Sequence, residues 1–265
     1  MRSSVRRLLG VPALALAGLL MVAPAASAAP EQEDDVKQVG AGIGARPLVG
    51  LRIAIDPGHN GGNGQNPEEI NERVPDGRGG EKACNTAGTT SATGYPEHAF
   101  TFDVSTRLAE QLRDQGAVVF LTREDDEGVG PCVDRRGTFA EDHDVDLMLS
   151  LHANGSTDRE QQGFFAIVAE PPLSDSQQEP SQDLATVMIE ALGTAGFAQS
   201  DLDEDAVLER DDLATLNFAR RPTVLLELGE MRNPEEAAVM ETEEGRQRYA
   251  DALLDGVHTW VDENR

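Results

Sequence analysis

The sequence predicts a single α/β domain, a mostly parallel or mixed twisted sheet flanked by helices. Three observations carry this reading. Short apolar runs recur along the chain, stretches of helical period lie between them, and two of the runs lead straight into a histidine. Leu51, Ile53 and Ile55 alternate as a buried strand, and Asp56-Pro57-Gly58 ends it abruptly, which delivers His59 to the strand end. In open α/β sheets, ligands collect outside the carboxyl ends of the strands. His59 is therefore a candidate metal ligand or base, with an ordinary surface-loop histidine as the other reading.

The segment from Gly61 to Tyr95 is rich in Gly, Asn, Pro and charge, has no clear period, and carries Cys84. A loop of that length in a compact domain is usually functional or disordered. Pro96 then opens a helix in which Phe100, Val104, Leu108 and Leu112 follow at four-residue steps to about Gln115, where Gly116 stops it. Glu97 lies in the first turn, and the exposed amides of a helix start are enough to account for an acid there. Ala117 to Thr122 reads as a second buried strand, and residues 123–137, with Cys132 and the pair Arg135-Arg136, as a charged, turn-rich connection.

The third strand, Val145 to Leu151, ends directly in His152-Ala153-Asn154-Gly155, repeating the arrangement around His59. Gly163 to Ala169 is a fourth strand, Glu170 to Pro180 a short Pro- and Ser-rich connection, and Asp183 to Leu192 a helix closed by Gly193. The fifth strand, Thr223 to Leu228, contains Glu227. A lone carboxylate in so apolar a run is costly to bury unless paired or set beside a metal, and Arg220 or Arg221 would serve as an ordinary ion-pair partner. Glu243 to Asp262 closes the domain as a helix, with Tyr249, Leu253, Leu254, Val257 and Trp260 on its apolar face. His98, His143 and His258 read as solvated.

Residues 1–28 have the form of a signal peptide: Arg2, Arg6 and Arg7, an apolar stretch from Leu8 to Val22, and Ala26-Ser27-Ala28 as a cleavage site. The expected product is a secreted, extracytoplasmic protein of periplasm or cell wall, with residues 29–49 as a polar tether and 50–265 as the folded domain. No later run approaches the roughly 20 apolar residues of a membrane span, and no lipid anchor is signalled. Loss of the three arginines takes the formal charge from −26 to −29. Nucleic acid and anionic membrane are poor partners for such a chain. Cys84 and Cys132 are an even pair in an exported chain and are expected to form a disulfide worth ~4 kcal/mol on the loop-length model; a pair of metal thiolates is the competing reading.

Two histidines and a carboxylate can hold zinc and leave a position for water, and a nearby carboxylate can carry the water's proton to a leaving amine. His59, His152, Glu97 and Glu227 have the right chemistry, although their wide separation is a weak signal by itself. The strings IAIDPGHNGG, EHAFTFDVSTRLAEQLRDQGAVVFLTR, DLMLSLHAN and PTVLLELGEMRN, in this order, are more specific. They resemble the zinc-dependent N-acetylmuramoyl-L-alanine amidases of bacterial peptidoglycan, over about Leu51 to Trp260.

The resemblance implies that His59, Glu97 and His152 bind Zn2+ and that Glu227 is catalytic. It implies a hydrolase that cuts the amide between N-acetylmuramic acid and L-alanine in peptidoglycan or muropeptides. A monomer is expected, and the sequence does not say whether an activator protein is needed. A zinc peptidase on stem peptides, or a non-catalytic wall-binding protein of the same fold, are the alternatives. Asp56, Arg135, Asn154 and Arg210 are secondary candidates for substrate contact or ligand support, each with an ordinary turn or salt-bridge reading. The chain departs from the family in having Glu230 where an aromatic residue is common and Arg232 where a serine is common. Its segment from Asn60 to Pro96 is also longer than usual, and a Cys84–Cys132 bond would pin it beside the mouth of the site.

Overall fold

The computed structural model describes residues 48–264. The expected signal peptide and nearly all of the expected tether fall outside the described residues. Leu48, read as part of the tether, is fully buried, and its N–H donates to the Gln115 carbonyl at 3.3 Å. The packed domain therefore includes it.

In chain order the strands are β1 (Arg52–Pro57), β2 (Arg73–Pro75), β3 (Glu81–Ala83), β4 (Val118–Leu121), β5 (Leu147–Asn154), β6 (Phe165–Ala169), β7 (Val207–Arg210) and β8 (Thr223–Glu230). The helices are α1 (Pro67–Ile70), α2 (Glu97–Asp114), α3 (Val133–Asp142), α4 (Glu179–Thr194), α5 (Ala214–Phe218), α6 (Pro234–Met240) and α7 (Glu243–Asn264). The main sheet runs β4-β1-β5-β8-β6-β7, and every neighbouring pair is parallel except β6 with β8. This is the mixed sheet the sequence predicts, with β2 and β3 forming a separate antiparallel hairpin.

The alternation along β1 divides the core. Ile53 and Ile55 join Phe100, Val104, Leu108 and Leu112 of α2 and Tyr249, Leu253 and Val257 of α7 in one cluster. Ala54 and Met148 belong to a second cluster with Ala140 of α3. Each fully buried Leu or Ile contributes roughly 1.5–3 kcal/mol, so the helical period of α2 and the strand period of β1 together fix which face of β1 meets α2 and α7. Because β1, β5 and β8 are adjacent and parallel, their carboxyl ends lie on one edge. Leu151 registers beside Pro57, and Glu227 beside His152.

Several elements differ from the sequence reading. The 61–95 segment contains α1 and the β2–β3 hairpin, both too short to show a period. The turn-rich stretch 123–137 already holds the first turns of α3. Helix α4 begins at Glu179, because Pro180 is tolerated in a first turn, and it runs through Gly193 to Thr194. Strand β7 and the short helices α5 and α6 have no counterpart in the reading; β7, VLER, is half polar because it is an edge strand. Strand β5 continues to Asn154, so His152 lies within its last turn of ladder rather than after it, where the register shifts between His152 and Asn154.

Two histidines expected to be solvated have partners. His98 Nδ1 lies 2.6 Å from Asp126 Oδ2, and the His143 ring packs 4.0 Å from that of Phe139.

Candidate metal and catalytic site

The turn after β1 is built around what glycine leaves out. A Cβ on Gly58 would stand 2.4 Å from His152 Cε1 and 2.6 Å from its Nδ1. Only a residue with no side chain lets the His152 ring lie across the turn. His59 follows with φ 60°, a backbone state that non-glycine residues hold only when their surroundings enforce it. Those surroundings are a buried arginine, Arg136 of α3. Its Nη1 donates to Asp56 Oδ1 and to the Pro57 carbonyl, both at 2.7 Å, and its Nη2 donates to the His59 carbonyl at 2.8 Å and to Asn60 Oδ1 at 2.9 Å.

Asp56 completes this network beneath the turn, accepting also from Thr122 Oγ1 at 2.6 Å and Ser150 Oγ at 2.7 Å. Burial alone would raise the Asp56 carboxyl; Arg136 and the two hydroxyls outweigh it and hold the group below its ordinary value. Arg123 braces the same turn, donating to the Pro57 carbonyl at 3.0 Å and to the His98 carbonyl at 2.8 Å. Its own burial brings its pKa down to about 10.

At the edge of the sheet, Glu97 Oε1 lies 3.1 Å from His59 Nε2 and 3.1 Å from His152 Nδ1. One ligand atom from each of the three residues falls within 4.8 Å of the others, and the two rings meet edge to face. Glu97 does open α2 as its position suggests, but its carboxylate is buried and tied down by the Ala153 N–H on Oε1 at 3.1 Å and the Thr89 N–H on Oε2 at 2.9 Å. Burial opposes its charge; the two histidines overcome that and lower its pKa strongly. His59 Nδ1 lies 3.1 Å from the Thr86 carbonyl and 3.2 Å from the Thr86 hydroxyl, so its Nδ1 is engaged and Nε2, which faces Glu97, is left as the ligating nitrogen. An imidazole lone pair facing a carboxylate is repulsive unless a proton or a metal ion lies between them, so this donor set fits a divalent cation.

The segment around Cys84 forms one wall. Cys84 and Cys132 are bonded, which rules out the thiolate reading, and the Val133 N–H at the start of α3 donates to the Cys84 carbonyl at 2.8 Å. Gly88, with φ 77°, passes so close that a Cβ there would lie 2.8 Å from Glu97 Oε2 and 2.9 Å from His59 Cδ2. The resulting cleft, about 460 Å³, is bordered by the histidine–glutamate group, Glu227, Asn154, Lys82, Arg210 and Arg232.

Glu227 projects from β8 into that cleft. Its Oε2 is enclosed and has no hydrogen-bond partner. The ion pair with Arg220 or Arg221 does not form: Arg220 donates to the Asn217 and Ala219 carbonyls, and Arg221 pairs with Asp144 and Glu141. Burial pushes the Glu227 carboxyl well above its ordinary value, the charges of Glu97 and Glu230 add to this, and Arg210 opposes it.

The secondary candidates separate. Asn154 lines the cleft and donates to Glu230 Oε1, while Glu230 Oε2 accepts from the Ser156 N–H at 2.9 Å. Arg210 lies at the rim, paired with Asp212 at 2.6 Å. Arg135 is exposed and takes no part in the turn; its neighbour Arg136 does, because Arg136 shares the inward face of α3 with Ala140. Reading 133–142 as a helix would have chosen between the two arginines. Arg123 and Thr86 had no such signal, since their roles depend on contacts between distant segments.

A family model of N-acetylmuramoyl-L-alanine amidases matches residues 53–259. An N-acetylmuramoyl-L-alanine amidase of Mycobacterium tuberculosis is 41% identical over 211 residues, covering 79% of this chain and 86% of the relative. The crystal structure of an N-acetylmuramyl-L-alanine amidase from Mycobacterium smegmatis superposes with a TM-score of 0.78 at 37% identity, over 82% of this chain and 99% of that one. The apo form of the corresponding Mycobacterium abscessus enzyme gives 0.77 at 38% identity, over 81% and 100%. The chain belongs to the N-acetylmuramoyl-L-alanine amidase family.

Proposed function

We propose that this protein is an exported, zinc-dependent hydrolase of the amide between the lactyl carboxyl of N-acetylmuramic acid and the L-alanine of the peptidoglycan stem peptide. The observation that carries the reading is the pairing of two differently treated carboxylates in one cleft. Glu97 is held charged between His59 and His152, and Glu227 stands alone with its proton affinity raised. Carboxylates pushed apart in this way take different roles.

His59 Nε2, a Glu97 carboxylate oxygen and His152 Nδ1 are the donors that would hold zinc. Zinc, when bound, supplies Lewis acidity to a water and to the substrate carbonyl. Thr86 holds the His59 ring through Nδ1, and the Thr89 and Ala153 amides orient Glu97. Glu227 removes a proton from the attacking water and returns it to the departing alanine nitrogen, for which a carboxyl with raised proton affinity is suited. The signal-like residues 1–28 and the cell-wall substrate together support export to periplasm or wall. Among the described residues no helix is long and apolar enough to cross a membrane.

The test is digestion of purified muropeptides by the mature protein with zinc, beside Glu227→Gln, with products read by mass spectrometry. Free stem peptide beginning with L-alanine, lost in the variant, is the expected result. A new amino terminus further along the stem would make the protein a peptidase. Retained but uncut muropeptide would make it a binding protein.

A further inference from the structure

We propose that Arg232 is a specificity-determining residue that pairs with a free carboxylate on the stem peptide, next to the alanine whose bond is cut; this rests on the amidase reading above. Arg232 lines the same cleft as the histidine–glutamate group and Glu227, and it is half-buried. Among the described residues its guanidinium has no ion pair, hydrogen bond or aromatic ring. The other two cations bordering the cleft are engaged: Arg210 with the Asp212 carboxylate, and Lys82 with the Asp212 carbonyl.

Nearby acids are occupied by neutral donors. Glu230 accepts from Asn154 and from the Ser156 N–H, and Glu236 accepts from the Gly163 N–H at 3.0 Å and the Glu230 N–H at 2.7 Å. The backbone around Arg232 is meanwhile held on both sides. The Met231 N–H donates to the Asn154 carbonyl at 2.8 Å, and Asn233 accepts from the Glu235 N–H at 2.9 Å while donating to the Gln161 carbonyl at 3.1 Å. A fixed stem with a free head is a preorganised anion receptor, and a guanidinium matches a carboxylate in two parallel hydrogen bonds.

The substrate's chemistry narrows the partner. In uncut substrate the lactyl carboxyl is already an amide and the amino sugars carry no charge, so any anionic group lies on the peptide. Alanine has only a methyl. The next residue, a glutamate joined through its side chain, bears an α-carboxyl that is either free or amidated. Arg232 borders the same cleft as the histidine–glutamate group, which places it beside the residues next to the cut bond.

The experiment uses two muramoyl dipeptides that differ only in whether this α-carboxyl is free or amidated, the far end being blocked in both. The zinc-loaded wild type is compared with Arg232→Gln and Arg232→Lys. Expected is about a tenfold preference of the wild type for the free acid, expressed in KM, which Arg232→Gln abolishes by weakening the acid alone and Arg232→Lys keeps in part. Equal loss on both substrates, or no wild-type preference, overturns the proposal. So does an effect limited to inhibition by N-acetylmuramic acid, which would assign Arg232 to the lactyl carboxylate of the product. Should the wild type cut neither dipeptide, the amidase reading falls. Calorimetric binding of the same two compounds then decides separately: tighter binding of the acid, lost in Arg232→Gln, upholds Arg232 as the carboxylate receptor, and equal or absent binding removes it.

Discussion

Asp56 and Asp212 are both aspartates held by an arginine, at 2.7 and 2.6 Å respectively, one beneath the site and one on its rim. The Asp56–Arg136 pair has side chains 1% and 3% exposed; the Asp212–Arg210 pair, 58% and 42%. Arg136 donates to Asp56, to Asn60 and to the Pro57 and His59 carbonyls, all in the turn that presents His59, whereas the Arg210 guanidinium donates to the Asp212 carboxylate alone. Distance therefore ranks these contacts wrongly. Burial and the number of satisfied donors decide which pair is structural, and Glu227, whose Oε2 has no hydrogen-bond partner, is the acid left for chemistry.

The largest effect should come from that unpaired acid. Glu227→Gln removes the proton carrier while keeping its shape, so turnover of muropeptides should fall by about 10³-fold, with thermal unfolding unchanged or slightly raised because a buried charge site has become neutral. Next is Arg136→Met, which strands Asp56 without its cation. The expected loss is roughly 3–5 kcal/mol in urea unfolding at neutral pH. The pH dependence sharpens the point. The folded pKa of Asp56 lies below its ordinary value of 3.8, so the stability it contributes is full above that value and is lost as pH falls through the folded pKa. The gap between wild type and Arg136→Met should accordingly narrow on acidification below about pH 4. A gap that is constant with pH would mean that Arg136 acts through its backbone-carbonyl bonds and not through Asp56.

How much of this could be read from the sequence follows the same division. The five apolar runs, the helix carrying Phe100, Val104, Leu108 and Leu112, and the delivery of His59 and His152 to strand ends all rest on local periodicity and turn chemistry, and the structure has them. The grouping of His59, Glu97 and His152 came from ordered motifs, not from spacing, because three segments separated along the chain meet only when β1 and β5 pair and α2 packs beneath them. Arg136 was invisible for a different reason: helix α3 is short and mostly polar, so nothing in residues 123–137 announced an inward face. Edge strand β7 escaped because an exposed edge needs no apolar alternation.

Between the two arginine pairs in expected effect lies the Cys84–Cys132 bond, which closes a loop across 48 positions and joins the wall containing Thr86 and Gly88 to the start of α3. Replacing both cysteines by serine should cost about 2–4 kcal/mol of stability. Activity on small muropeptides and on intact sacculi should change together if the bond acts only on stability; a change confined to sacculi would mean that the 61–95 segment screens large substrates from the cleft.

The smallest effect should come from Asp212→Asn, and its smallness is the sharpest form of the comparison. The substitution removes a rim ion pair with the shorter distance of the two, yet both partners are solvated, and water replaces the carboxylate at little cost. Stability should move by no more than about 0.5 kcal/mol. The Lys82 contact should survive, since Lys82 donates to the Asp212 backbone carbonyl and not to its side chain. Urea unfolding and muropeptide kinetics of the variant, measured beside Arg136→Met, test the ranking directly. If Asp212→Asn proved as damaging as Arg136→Met, burial would not be what separates the two pairs, and Arg210 would have to be moved from the rim into the machinery that positions Glu227, whose carboxyl it already opposes electrostatically.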